Sequence, residues 1–154
     1  MKMHLTEVVR LPAAVIGSLL VIASSAYAGS VIATCGSSSG YRYDVGIANL
    51  EEDAWKEDAI SDGATTFISS ENGYDIILKD SYGAKTASEE NATIDATDAG
   101  NGAYTFVVKY PQGTVVVYNL SASDGKKRKL IWAITRNGTG MGDLSGSMFV
   151  SDCD

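Results

Sequence analysis

Few side chains in this sequence could act as a catalytic nucleophile or base. The only histidine is His4, near the amino terminus, and the only cysteines are Cys35 and Cys153. Without a histidine in the body of the chain, Ser-His-Asp and Cys-His triads and histidine-ligated zinc sites are excluded there. Ser123 and Lys126 have the spacing of a Ser-Lys dyad, but the Asp-Gly pair between them is typical of a tight turn. We therefore predict no catalytic residue, no cofactor and no metal ligand.

The first 28 residues have the pattern of a cleaved export signal. Two basic residues precede an apolar run over residues 13–23, and residues 26–28, Ala-Tyr-Ala, place small side chains where a signal peptidase cleaves. Cleavage would remove His4. No later segment approaches the length of apolar chain that spans a bilayer. We therefore predict a single exported domain over residues 29–154, periplasmic or secreted, with no membrane span.

Export affects the interpretation of the two cysteines. In an oxidising compartment the simplest interpretation is one disulfide between Cys35 and Cys153, which would join the two ends of the mature chain. The alternative is a lipid-modified Cys35. That alternative is less favoured, because Thr34 stands where the lipidation motif requires Gly, Ala or Ser.

The charge balance limits the classes of partner. The leader carries two basic residues and one acidic residue, so the 126 residues after it hold 10 basic and 18 acidic side chains, a net charge of −8. Such a charge disfavours nucleic acid and anionic membrane surfaces and favours a cationic partner, although acidity also serves solubility.

Two charged clusters are candidate interaction sites. The acidic cluster comprises Glu51, Glu52, Asp53, Glu57 and Asp58, and the basic cluster comprises Lys126, Lys127, Arg128 and Lys129. The acidic cluster is typical of a solvated face, with a cationic docking site as the alternative. The basic cluster is typical of an exposed hairpin end, with an anionic sugar or lipid headgroup as the alternative ligand. Two facing carboxylates could also hydrolyse a glycosidic bond, so a carboxylate-dependent hydrolase stays open.

The pattern along the mature chain favours short strands and tight turns. Tyr41 and Tyr43 begin a period-two alternation, and Asn72-Gly73 and Pro111-Gln112-Gly113 have the composition of hairpin turns. One helix is expected over residues 50–61, with Asn49 as its cap and acidic residues in its first turn. Seven strands are predicted over residues 41–47, 64–70, 74–79, 103–110, 114–121, 127–136 and 147–151, and a weaker eighth strand is predicted from residue 84. A short segment over residues 93–95 is a further candidate.

These elements predict an all-β fold. Seven or eight antiparallel strands in a meander, with the ends joined by a disulfide, indicate a small barrel or closed sandwich with one short helix. The alternation places aromatic side chains inside, among them Tyr41, Tyr43, Tyr104, Phe106 and Trp132, with Tyr110 on the same face as Phe106. Whether these side chains fill the interior or leave a cavity decides whether an internal ligand is possible.

Short motifs spread over most of the mature chain resemble those of a group of small exported bacterial proteins of unknown function. They are Cys35-Gly36-Ser37 before Gly40-Tyr41, Trp55 with Asp58, Ile60 and Ser61, Tyr74-Asp75-Ile76, Tyr110-Pro111-Gln112-Gly113-Thr114, Ser147-Met148, and Cys153. The resemblance implies export, the disulfide and a β fold, and it brings no active residue. In size, acidity and expected barrel alone, the chain is also similar to periplasmic lysozyme inhibitors of the membrane-bound C-type class.

The functional hypothesis is therefore an exported, non-enzymatic β domain that binds a protein or small ligand through its loops or its barrel mouth. One alternative is an acidic inhibitor of a cationic hydrolase such as lysozyme, which the negative charge favours. The second alternative is the carboxylate-dependent hydrolase.

Overall fold

A computed structural model describes residues 29–45, 55–137 and 144–154, and every strand in these ranges belongs to one antiparallel sheet. The predicted all-β, antiparallel class is confirmed, with ten strands among the described residues instead of seven or eight. The predicted leader lies outside the described residues. The strands are β1 (Ser30–Asp44), β2 (Lys56–Ile60), β3 (Ala64–Ser70), β4 (Gly73–Asp80), β5 (Gly83–Thr86), β6 (Thr93–Gly100), β7 (Ala103–Lys109), β8 (Thr114–Leu120), β9 (Arg128–Arg136) and β10 (Ser145–Cys153).

The first and last strands lie side by side in the middle of the sheet. The strand order is β5-β4-β3-β1-β10-β9-β8-β7-β6, and β2 pairs with part of β1. The two edges of the main sheet are therefore β5 and β6, which come from the middle of the sequence. The expected closed sheet is wrong, because the chain between these strands folds back onto β4 instead of pairing them. There the Ala87 amide donates to the Ile76 carbonyl and the Ser88 amide donates to Asp75.

The sheet curls into a half-barrel around an aromatic core. Phe67 of β3 and Phe106 of β7 are separated by four strands in the sheet order, yet their rings stack with centroids 4.9 Å apart. Tyr118 of β8 meets the ring of Phe67 edge-on at 5.4 Å. Phe67, Phe106 and Leu130 are completely buried, as their alternating positions on the inner face require. This contact between distant strands shows that the two halves of the sheet face each other.

The predicted disulfide between Cys35 and Cys153 is confirmed, and it joins β1 to β10 where these residues are directly paired. Next to it, β1 has one residue more than β10, since Cys35 pairs with Cys153 and Ser38 pairs with Ser151. In a regular strand Cys35 and Ser38, three positions apart, would face opposite sides of the sheet. The extra residue of this β-bulge allows both to be buried on the inner face.

The expected helix over residues 50–61 is wrong where the structure describes it. Residues 56–60 form the strand β2, which pairs with residues 38–42 of β1, while residues 50–54 lie outside the described part of the chain. The apolar residues of the segment do not form one helical stripe. Pairing with β1 therefore outweighs its local helix propensity.

The first strand also differs from its prediction. It begins at Ser30, about ten residues earlier than expected, and Tyr41 faces outward with 52% of its surface exposed. The Gly/Ser-rich residues 36–40 have the composition of a loop, yet residues 38–40 pair with both β2 and β10. Gly40 permits this pairing, because a Cβ atom there would overlap the backbone carbonyl of Met148. Tyr43 is half-buried and packs against Trp55 at 5.5 Å.

Candidate ligand-binding cleft

One end of the half-barrel opens into a cleft of about 350 Å³, which we call the mouth cleft. Its longer wall is built from three cross-strand pairs of β8 and β9. From the rim inward, these pairs are Thr114 with Arg136, Val116 with Ile134, and Tyr118 with Trp132. These residues share the inner face because side chains of a strand alternate between its two faces.

The facing wall comes from β3 and β4, where Thr65 pairs with Leu78. Small residues complete the lining between the walls, including Gly36, Gly63 and Ala64. Their size explains why this end of the interior stays open while the bulky residues of the core fill the middle. The predicted barrel interior is therefore packed at its centre and open at this mouth.

The deep part of the longer wall is held in place by aromatic contacts. The rings of Trp132 and Phe149 stack with centroids 4.6 Å apart, and the Trp132 and Tyr118 rings lie 5.9 Å apart. Tyr118 in turn contacts Phe67 in the core. Because each ring is fixed by another ring, this surface is formed before any ligand enters.

Three buried residues that line the mouth cleft carry hydroxyl groups: Ser38, Tyr110 and Tyr118. They are 8%, 8% and 2% exposed. Within residues 29–45, 55–137 and 144–154, none of these side chains forms a hydrogen bond with another protein group. Buried polar groups are normally hydrogen-bonded. These three hydroxyls therefore offer donors and acceptors to a molecule in the cleft.

Burial keeps the two phenols of the cleft protonated. Desolvation raises the pKa of Tyr110, and the negative charges of Glu90 and Asp75 raise it further. Desolvation also raises the pKa of Tyr118, with a smaller contribution from Tyr110. Both side chains are therefore neutral hydrogen-bonding groups at physiological pH.

Replacing Tyr118 with Phe is expected to reduce the loss of stability at alkaline pH. Burial raises the pKa of the Tyr118 phenol above the ordinary 10.0, so the unfolded chain releases this proton first. The stability that depends on this group is complete below pH 10 and falls as the pH rises further. Wild type should lose up to about 1.4 kcal/mol more per pH unit than the variant. Urea unfolding at several pH values above 10 measures both slopes.

Tyr82→Phe is the matched control, because Tyr82 is 97% exposed and its phenol meets solvent in the folded protein. This variant should have the same slope as wild type. Equal slopes for wild type and Tyr118→Phe would contradict a buried, neutral Tyr118.

The rim of the mouth cleft carries charges of both signs. Lys79 and Arg136 are exposed cations, and Asp80 and Glu90 are the carboxylates. Asp80 accepts a hydrogen bond from the Tyr82 amide at 2.8 Å, and Glu90 lies 3.8 Å from the ammonium group of Lys85. Lys79 and Arg136 form no ion pair with the residues that the structure describes. The four rim charges balance to zero.

Alternation along the strands predicted that Tyr110 and Trp132 point inward, but it gave no sign of a cleft. The same pattern serves core packing and a cleft wall. No sequence pattern indicated that the Ser38 side chain points inward, because its direction depends on the bulge in β1. The distinguishing feature is the set of small residues opposite the aromatic ones, and their proximity depends on the tertiary fold.

The acidic cluster lies only partly within the described residues. Glu57 is exposed on β2, and Asp58 lies 3.4 Å from the guanidinium of Arg42, which also pairs with Asp44 at 2.7 Å. Its other three members, Glu51, Glu52 and Asp53, lie outside the described ranges. Asp58 is therefore engaged within the domain, whereas Glu57 remains available to a partner.

The basic cluster is divided by the alternation of β9. Lys127 and Lys129 point outward and both hydrogen-bond to Asp152, which lowers the pKa of that carboxyl group. Lys126 is exposed near Asp124 at 3.9 Å. Arg128 points inward and is only 8% exposed, so the expectation that all four residues form an exposed hairpin end is wrong at this position.

Within residues 29–45, 55–137 and 144–154, no three His, Cys, Asp or Glu side chains are grouped so that they could hold a metal ion. The same ranges contain no helix of sufficient length and apolarity to cross a membrane.

No protein-family model, curated protein or solved structure matches this chain. The resemblance to small exported proteins and the similarity to lysozyme inhibitors therefore stay predictions.

Proposed function

We propose that this chain is an exported, non-enzymatic binding protein that holds a small molecule in the mouth cleft. The observation that carries the proposal is a preformed cleft of about 350 Å³ with an aromatic wall and buried hydroxyl groups. Small-molecule sites are typically concave and largely apolar, with a few polar groups that orient the ligand. The disulfide between Cys35 and Cys153 supports export, since such bonds persist in oxidising compartments.

The volume limits the size of the ligand. The cleft volume of about 350 Å³ lies at the lower end of the roughly 300 to 1,000 Å³ that is typical of small-molecule sites. A single ring with one or two substituents fits this limit. A polypeptide would have to extend far beyond the cleft, which makes a small molecule the better match.

The test is to fill the cleft with a larger side chain. Thr114 lies at the mouth beside Arg136, and Thr114→Phe would occupy the entrance. Ligand-observed NMR of a fragment library with the purified protein should find binders whose signals are lost with Thr114→Phe. The expected loss is at least tenfold in affinity, because the added ring takes the space of the ligand.

Thr97→Phe is the matched control for this experiment, because it adds the same ring at an exposed position of β6. It should bind every fragment as wild type does. Fragments that bind equally well to wild type and Thr114→Phe would overturn the proposal, as would a library with no binder.

The two alternatives stay predictions with tests of their own. An inhibitor of a cationic hydrolase should form a salt-sensitive complex with purified lysozyme, and Glu57→Gln should weaken it. A carboxylate-dependent hydrolase should lose its activity on glycosides in Asp80→Asn or Glu90→Gln, the two carboxylates that line the cleft.

A further inference from the structure

We infer that the mouth cleft selects an uncharged ligand, with an apolar face for Trp132 and Leu78 and hydrogen-bonding groups for the hydroxyls of Ser38, Tyr110 and Tyr118. The inference rests on the proposed binding function and adds the chemical class of the ligand. Carboxamides, alcohols and sugars of a single ring belong to this class.

The charged side chains of the cleft lie at its rim, and this distribution favours an uncharged ligand. They are Lys79, Asp80, Glu90 and Arg136, two of each sign, while the buried lining consists of apolar and hydroxyl side chains. An ion in the deep part would lose its hydration without gaining an opposite charge, which is strongly unfavourable. An uncharged ligand avoids this cost.

The surroundings of Tyr110 add a reason against an anion. The negative charges of Glu90 and Asp75 act on this phenol and raise its pKa. The same negative potential would repel a carboxylate or phosphate that came to accept its hydrogen bond. A cation, in turn, meets no buried carboxylate among the described lining residues.

The three hydroxyls define the polar half of the ligand. A hydroxyl can donate one hydrogen bond and accept others, so amide, carbonyl and hydroxyl groups are all suitable partners. The hydroxyls of Ser38, Tyr110 and Tyr118 have no bond within the described protein, and a buried polar group without a partner is unfavourable. A ligand that hydrogen-bonds to them removes this unfavourable contribution and binds more tightly, whereas a purely apolar ligand leaves the hydroxyls without partners.

The test uses three probes of nearly the same shape: benzamide, benzoate and benzylammonium. Titration of each into the ¹⁵N-labelled protein gives its affinity from chemical-shift changes of residues that line the cleft. Benzamide should bind at least tenfold more tightly than either charged probe. Equal or tighter binding of benzoate or benzylammonium would overturn the inference.

Two variants test the role of the hydroxyls. Tyr118→Phe and Ser38→Ala each remove one hydrogen-bonding group and should weaken benzamide binding by roughly threefold to tenfold. Tyr82→Phe removes an exposed hydroxyl from a residue that does not line the cleft and should bind as wild type does. Unchanged affinity in both Tyr118→Phe and Ser38→Ala would contradict the inference.

The failure of this inference can be distinguished from failure of the proposed function. If all three probes bind equally and Thr114→Phe abolishes their binding, the cleft binds small molecules but does not select uncharged ones. If no probe binds at millimolar concentration while library fragments bind and are lost with Thr114→Phe, the inference fails and the proposed function stands. If neither probes nor fragments bind, or if Thr114→Phe binds them all as wild type does, both fail.

Discussion

Replacing both cysteines, Cys35→Ala with Cys153→Ala, is expected to lower the free energy of unfolding by about 4 to 5 kcal/mol. The disulfide connects residues separated by 118 positions and therefore restricts a long segment of the unfolded chain. It also fixes the pairing of β1 with β10 at the centre of the sheet. Urea unfolding monitored by circular dichroism measures the difference from wild type.

Reduction provides the control for this experiment. Dithiothreitol should destabilise the wild type by a similar amount and leave the double variant unchanged, because the described chain has no other cysteine to reduce. A difference below about 1 kcal/mol between wild type and double variant would contradict the prediction, since the loop term for this separation is several times larger.

Arg128→Met is expected to lower the free energy of unfolding by about 3 to 5 kcal/mol. The buried guanidinium of Arg128 donates to the carbonyl of Ile32 at 2.7 Å, to that of Ser121 at 3.2 Å, and to that of Gly102. It thereby connects β1 with the β6–β7 turn and the chain that follows β8. Methionine retains much of the volume but leaves three carbonyl oxygens without their donor. Urea unfolding at neutral pH measures the effect.

The matched control is the same change at the neighbouring position, Lys127→Met. The Lys127 side chain is 67% exposed and its ion pair with Asp152 is a surface contact, so its replacement should change stability by no more than about 0.5 kcal/mol. The stability of Arg128→Lys should lie between those of Arg128→Met and Lys127→Met, because one ammonium group cannot reproduce the planar array of donors of a guanidinium. Equal stabilities of Arg128→Met and Lys127→Met would contradict a structural role for Arg128.

Much of the fold follows from local patterns in the sequence. Asn72-Gly73 and Pro111-Gln112-Gly113 fixed the two clearest hairpins, and the strands beside them were predicted to within one or two residues. Local patterns failed where pairing partners determine the structure. Residues 56–60 are acidic and have no strong alternation, and they become a strand because β1 offers a free edge. The strand order and the open edges depend on contacts between distant residues, which periodicity does not encode.

The candidate site was less accessible to sequence reasoning than the fold. The charged clusters stand out in the sequence because their residues lie close together in it, yet alternation directs Arg128 inward, away from its neighbours. The residues of the mouth cleft come from six strands and the chain between them. Each is an ordinary strand residue by itself, and only the curvature of the sheet brings Ser38, Tyr110 and Tyr118 to one place.

The position of β10 has a consequence for how the protein folds. The central pairing of β1 with β10 joins the two ends of the described chain, so these contacts have the largest sequence separation among its strand pairings. Such contacts form slowly, because the chain loses the entropy of closing a long loop before the contacts stabilise it. Until residues 145–153 have been synthesised, β1 and β9 lack β10, the strand that pairs with both of them. The two halves of the core cannot pack together before then. The core of this domain is therefore completed only after β10 has been made.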